Sequence, residues 1–141
     1  MQETLASKSN IKPVSDQFEC HGYFMDYDTI SYCQSNGIQV EAFSPMACPT
    51  VYDPNINLLK EPVLIEAGKH HGKTPAQAAL KFLLQQGIMI IPKTVHIERM
   101  KENADLFDFE LTPEEMEAIR GLNMHRRLNS DPETFTSLET L

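Results

Sequence analysis

The stretch "MIIPKTVHIERMKEN", residues 89–103, passes from apolar residues into a Pro, a Lys and a Thr, then sets Arg99, Glu102 and Asn103 at helical spacing. Its apolar start reads as a short enclosed strand and its second half as a loop running into a helix. A lysine, a hydroxyl, a guanidinium and an amide gathered after a strand suit a phosphorylated ligand. A phosphate monoester takes several charged and neutral donors at once, and guanidinium offers a fork of them. Two cations at a helix start also oppose its dipole, a conflict that a bound anion removes. The plain alternative is that Lys93 and Arg99 are ordinary exposed charges.

Two further stretches share the character of that apolar start. "VSDQFEC" (Val14 to Cys20) and "GIQVEAFSP" (Gly37 to Pro45) join "GIMIIPK" (Gly87 to Lys93) as candidate strands, each introduced by Gly or Pro. Helical patterns separate them. In "MDYDTISYCQSNG" the residues Tyr27, Ile30 and Cys33 repeat at i, i+3, and Gly37 follows as a left-handed stop. "EPVLIEAGKHHG" places Pro62 at a first helical position, and Thr74 with Gln77 forms a capping box around Pro75. Gly72 and Gly87 end these two helices. A helix from about Ile97 to Ala104 follows the third strand, and Thr112 with Glu115 repeats the capping box before Met116 and Ile119. Connections of helical length between strands force parallel pairing with right-handed crossovers. The tail from Asn123 reads as irregular.

The chain is 141 residues long, about one domain, and 41% of its residues are apolar, enough for a core. Lys and Arg number 12 against 20 Asp and Glu, a net charge of −8, so the basic footprint of a nucleic-acid or anionic-lipid binder is missing. No apolar run approaches the roughly 20 residues that span a bilayer, and the first residues hold no apolar core of a secretory signal. Cys20, Cys33 and Cys48 are an odd number without CxxC spacing, which predicts neither a disulfide framework nor structural zinc but a reducing cytoplasm. Cys20-His21 and His70-His71 hold metal-ligand types. Adjacent residues rarely converge on one ion and no third ligand stands at useful spacing, so the expectation is no metal. Cys33, on an apolar helix face, reads as packing.

Ligands of α/β folds sit beyond the carboxyl ends of the strands, here Cys20 to Tyr23, Phe43 to Met46 and Lys93 to Val95. There is no GxGxxG and no GxxxxGK[ST], so phosphate recognition falls to side chains. Taken with the blocks "DQFECHGYF", "GIQVEAFSPM", "HGKTPAQAALKFLLQQGIMIIPKTV" and "ERMKENADLFDFELTPEEMEAI", these residues resemble, in order, successive parts of the aldo-keto reductase superfamily. The likeness is greatest to its bacterial-type NADPH-dependent carbonyl reductases.

That resemblance implies a (β/α)8 TIM barrel, for which roughly 250 residues are typical. Residues 1–141 then correspond to the C-terminal half, strands six to eight, with 1–12 a remnant of the preceding helix or loop and 123–141 the tail. It implies NADP(H) as cofactor. Gln17 would hydrogen-bond the nicotinamide carboxamide, or be a satisfied strand residue. Phe43 would stack on the nicotinamide, or be core. Ser44 and Met46 would line the pyrophosphate path. Lys93, Thr94 and Arg99, with Val95 nearby, would surround the phosphate on the adenosine ribose, and Glu102 and Asn103 would meet the adenine edge.

The implied reaction is reduction of aldehydes or ketones, with a tyrosine as general acid supported by a lysine, a histidine and an aspartate. Family members carry that tetrad on earlier strands, and no catalytic residue is assigned in this sequence. Tyr23, His21, Lys93 and Asp26 match other family positions. The chain departs from the family at Gly22, expected to loosen the turn after the first strand, at Asp16, expected to bring a carboxylate toward the cofactor end, and at His96, a weak helix cap. The alternative function is a non-catalytic half-barrel: a truncated product, a piece of a split enzyme or a weak nucleotide-binding module. Its two strand edges and apolar inner face predict a partner half or self-association.

Overall fold

A computed structural model of the chain describes residues 8, 10–47 and 56–129. Cys48, most of the loop after the second strand, the start of the 1–12 segment and the end of the 123–141 tail lie outside the described residues. Strands β1 (Ser15–Glu19), β2 (Gln39–Phe43) and β3 (Met89–Ile90) form a parallel sheet in that order. The helices are α1 (Tyr27–Ser35), α2 (Pro62–His70), α3 (Pro75–Leu84), α4 (Ile97–Ala104) and α5 (Pro113–Arg120), with a 3-10 turn at Leu58–Lys60. The expected alternation of strand and helix is present. Among the described residues no helix is long and apolar enough to cross a membrane.

Local chemistry explains the boundaries. Both capping boxes form, at Thr74 with Gln77 and at Thr112 with Glu115, each worth about 1 kcal/mol. Gly37, Gly72 and Gly87 all take left-handed φ, of 69°, 65° and 72°. Strand β2 is shorter than its sequence suggests because left-handed residues bracket it, Gly37 before and Ser44 (φ 50°) after. Strand β3 is cut harder. Its ladder continues only through the Ile91 N–H to the Ala42 carbonyl (3.1 Å), because Pro92 has no N–H to donate.

Register sorts the side chains into two faces. Val40 and Ala42, 1% and 0% exposed, turn toward the helices and join Cys20, Met25, Leu64, Phe82, Leu83 and Ile88 in the core. Burying a side chain the size of Phe82 contributes about 2–3 kcal/mol. On the opposite face Gln17, Glu41 and Met89 align across the three strands, with Glu19 beside Phe43 on the next layer. This face is open at Met89 and Ile91, 50% and 44% exposed. The apolar inner face expected also carries a polar pair, since the Gln17 amide donates to the Glu41 carboxylate across it (3.1 Å).

Polar side chains on α3 pin the segment that follows α4. Gln77, Lys81 and Gln85 stand at i, i+4 and i+8, one stripe of the helix. Gln77 donates to the Asp105 carbonyl (2.7 Å), Lys81 to the Leu106 carbonyl (3.0 Å), and Gln85 both accepts from and donates to the Leu111 backbone. These bonds account for a glutamine and a lysine that are 4% and 7% exposed. The start of the tail is irregular, as expected, but held. The Asn123 amide exchanges two bonds with the Met25 backbone, and the Leu128 and Asn129 N–H groups donate to Glu19. This strap covers the carboxyl end of β1 on the open face, which is why Glu19 is fully buried.

Gly68 lets α2 and α3 meet. A Cβ there would lie 2.7 Å from the Lys73 carbonyl oxygen and 3.0 Å from the Thr74 carbonyl carbon, both backbone. Gly68→Ala is therefore expected to lower the unfolding free energy by about 1–3 kcal/mol, against the roughly 1 kcal/mol that alanine gains in an unstrained helix; urea denaturation checks the sign. Burial by itself pushes the Glu19 carboxyl up, and hydrogen bonds from His21, Leu128 and Asn129 outweigh it and hold it below the ordinary value. Its stabilisation is complete above the unfolded value of about 4.3 and fades as pH falls below it. Glu19→Gln is expected to cost about 1–3 kcal/mol at neutral pH and to flatten the acid limb of stability against pH. An unchanged acid limb would show that other carboxylates set it.

Candidate functional site

The expected site residues gather on the open side of the sheet and along its carboxyl edge. Gln17 and Phe43 both belong to the open face by register, Phe43 half-buried beside Glu19. The Gln17 amide is engaged by Glu41, so a ligand meeting Gln17 also meets that carboxylate. After β2 the chain turns sharply through Ser44 and Ala47 at φ 50° and 54°, closed by the Ala47 N–H on the Ser44 carbonyl (2.8 Å). Two non-glycine residues in that region cost about 1–3 kcal/mol each, and the strain fixes the backbone of Ser44, Pro45 and Met46 as one tight turn.

The β3–α4 junction carries the charge. Lys93 and Arg99 are exposed, and neither forms an ion pair among the described residues. The Thr94 hydroxyl accepts from the His96 N–H (3.2 Å), which shapes the start of α4 and leaves the hydroxyl proton free to donate outward. His96 stands at the N-cap without a side-chain cap bond, so the first N–H groups of α4 lack an acceptor there, as its weak capping type suggests. Val95 is 71% exposed and contributes no polar atom. Glu102 is turned toward α3, where one carboxylate oxygen accepts from the Thr74 hydroxyl (2.5 Å), and Asn103 is half-buried beside it. These residues line an open surface. Two shallow clefts, of 310 and 290 Å³, lie instead near the amino ends of the strands, around Gln34 and Gly87, and hold none of them.

The departures read differently in place. Asp16 faces the helices, where its carboxylate accepts from the Cys33 thiol (3.8 Å), because successive strand residues point to opposite faces. It does not approach the cofactor end as expected. Gly22 does not loosen its turn. It is buried, a Cβ would meet Leu58 at 2.9 Å, and paired backbone bonds between His21 and Phe24 close the turn.

The titratable groups described on this edge are engaged by neighbours. The Tyr23 hydroxyl donates to the Glu61 carboxylate, and burial together with that carboxylate raises its pKa above the ordinary phenol value. Burial, and then the charges of Asp26 and Glu19, push the Cys20 thiol up to about 12, and burial also raises Cys33, which packs in the core as expected. His21 pairs with Glu19 at 3.0 Å, fully buried, and its other ring nitrogen has no hydrogen-bond partner among the described residues. Alternation in "ECH" was the signal for that pair, since residues two apart on a strand share a face.

The spacing argument about His70 and His71 is met by a different geometry. His70 and His71 do converge, and Glu115 joins them, with the three donor groups within 4.8 Å of one another. A third residue of ligating type 44 residues from His71 in sequence is invisible to spacing arguments and is supplied by the packing of α2 against α5.

Known proteins share this fold. A sequence profile described as the Aldo/keto reductase family matches residues 1–124. Dihydrodiol dehydrogenase 3 of Bos taurus is 41% identical over 122 residues, covering 84% of this chain and 38% of that protein. The uncharacterized oxidoreductase YtbE of Bacillus subtilis is 41% identical over 133 residues, covering 94% of this chain and 45% of that protein. An aldo-keto reductase crystallised with NADPH superposes with a TM-score of 0.83 at 33% identity, over 92% of this chain and 41% of its own. The aldose reductase of Schistosoma japonicum gives 0.81 at 34%, over 97% and 40%. The chain thus spans less than half the length of these relatives. With a profile covering most of its residues and the fold of the matching structures in common, the chain belongs to the aldo/keto reductase family.

Proposed function

We propose that this chain is the cofactor-binding half of an NADPH-dependent aldo-keto reductase, its strands corresponding to the sixth to eighth of a (β/α)8 barrel. The observation that carries the reading is the β3–α4 junction, where two exposed cations without an ion pair among the described residues flank a helix start whose N-cap side chain makes no cap bond. Such a junction suits a dianionic phosphate, since charge-assisted bonds from Lys93 and Arg99, the Thr94 O–H and the first amides of α4 would all point at one group. That favours NADPH over NADH. Glu102 keeps one carboxylate oxygen for the adenine amino group while the other holds Thr74, and Asn103 stands beside it. The tight turn at Ser44 to Met46 would follow the pyrophosphate, Phe43 would stack on the nicotinamide and Gln17 would bind its carboxamide. A relative crystallised with NADPH supports the assignment.

When bound, the cofactor supplies a hydride for an aldehyde or ketone. The residues here would bind and orient it, and Phe43 would exclude water from one ring face. Tyr23 is held by Glu61, so in this reading the proton for the carbonyl oxygen would come from a tyrosine on the half of the barrel that the relatives carry beyond this chain's span. The exposed open face at Met89 and Ile91 favours a complementary half-barrel as partner, or self-association when none is present. Buried thiols Cys20 and Cys33 suit a reducing, cytoplasmic setting.

Cofactor fluorescence tests this. The chain is expected to bind NADPH more tightly than NADH, and Arg99→Ala to weaken NADPH about tenfold or more while leaving NADH nearly unchanged, the loss of charge-assisted bonds to a phosphate only one of them carries. Equal losses for both nucleotides would make Arg99 structural and remove the phosphate assignment.

A further inference from the structure

We infer that His70, His71 and Glu115 form a binding site for a divalent first-row transition metal of zinc's class, on the helical side of the molecule and independent of the nucleotide surface. His70 Nδ1 and His71 Nε2 each lie 2.8 Å from a different oxygen of the Glu115 carboxylate, and the three donor groups fall within 4.8 Å of one another. Adjacent histidines converge because the helix ends between them. His70 is the last residue of α2, whereas His71 is its C-cap at φ −98°, ψ 4°, where the backbone leaves the helical path.

The surroundings hold two donors in place before any ion arrives. Glu115 is fixed by the capping box, its Oε2 accepting from the Thr112 N–H (2.8 Å). His71 packs on Phe109 with ring centroids 5.4 Å apart, and its side chain and that of Glu115 are 15% and 16% exposed. The His70 side chain, 63% exposed, is the free arm that can swing onto an ion. Tetrahedral coordination with metal distances of about 2.0–2.2 Å brings donors to roughly 3.3 Å apart, a contraction that rotation of His70 can deliver. Two imidazoles and one carboxylate select zinc, cobalt, nickel or copper over magnesium and calcium, which want all-oxygen shells. Three protein donors leave a coordination position for water. Binding replaces the imidazole–carboxylate hydrogen bonds with metal bonds, each ring ligating as neutral imidazole through a bare nitrogen while its proton sits on the other nitrogen, so protons compete with the ion for the site. The ion would staple the end of α2 to the first turn of α5.

The test uses the 141-residue chain without a polyhistidine tag, stripped with chelator and titrated with Zn2+ by calorimetry and with Co2+ by its visible absorption. One ion per chain is expected, with a thermal midpoint raised by Zn2+. Because loss of a supporting partner outside the coordination shell already costs about 10–100-fold, His70→Ala and Glu115→Gln should each weaken binding at least tenfold. Glu115→Gln retains an acceptor for the capping box, and His70 is exposed, so neither substitution removes a core contact. His125→Asn, at an exposed left-handed position away from the cluster, should bind as the unaltered chain does. Absence of saturable binding, wild-type affinity in His70→Ala and Glu115→Gln, or equal weakening in His125→Asn would each overturn the site.

Discussion

Three parallel strands with helices on only one face are the constraint from which the rest of the molecule follows. Parallel sheets are ordinarily covered on both faces. Here Val40 and Ala42 are sealed under helices, while Gln17, Glu41, Phe43, Met89 and Ile91 look the other way, across what would be the interior of a barrel. The chain meets this in two ways. A hydrogen-bonded polar pair, Gln17 with Glu41, reduces the apolar area left open, and a strap from the tail closes over Glu19 at the carboxyl end of β1. Met89 and Ile91 remain exposed on that side, the surface on which the proposed partner half would pack.

The same constraint places the surface proposed to hold the nucleotide. Groups at the carboxyl ends of strands face the open side, so the turn after β2 and the junction after β3 share one edge. The junction stays in position because α3 grips the chain beyond α4 through Gln77, Lys81 and Gln85. Thr74 links the two functions. Its hydroxyl caps α3 by accepting from the Gln77 N–H and also donates to Glu102, so the residue assigned to the adenine edge is oriented by a helix start on a neighbouring element.

Local chemistry was legible in the sequence wherever one residue type has one backbone use. Pro62, Pro75 and Pro113 mark helix starts, Gly37, Gly72 and Gly87 mark helix ends, and the two capping boxes follow from threonine three residues before glutamine or glutamate. Contacts set by packing were not legible. The burial of Glu19 depends on N–H groups 109 and 110 residues away, and Glu115 reaches His70 and His71 only because α2 packs against α5. Asp16 and Gly22 were misplaced for a related reason, since family comparison gives the residue type at a position and not the face or the neighbour it meets. The short β3 was foreseeable, because Pro92 cannot extend a ladder.

The proposed division of labour, a chain that holds the cofactor while the proton donor lies outside it, is tested most directly by turnover. NADPH oxidation with a generic aldehyde would be followed for the 141-residue chain alone, and again after addition of the N-terminal half of a relative such as YtbE. The account predicts no turnover for the chain alone and turnover only with the added half. Turnover by the chain alone would contradict it, because a proton donor would then have to exist within the chain itself.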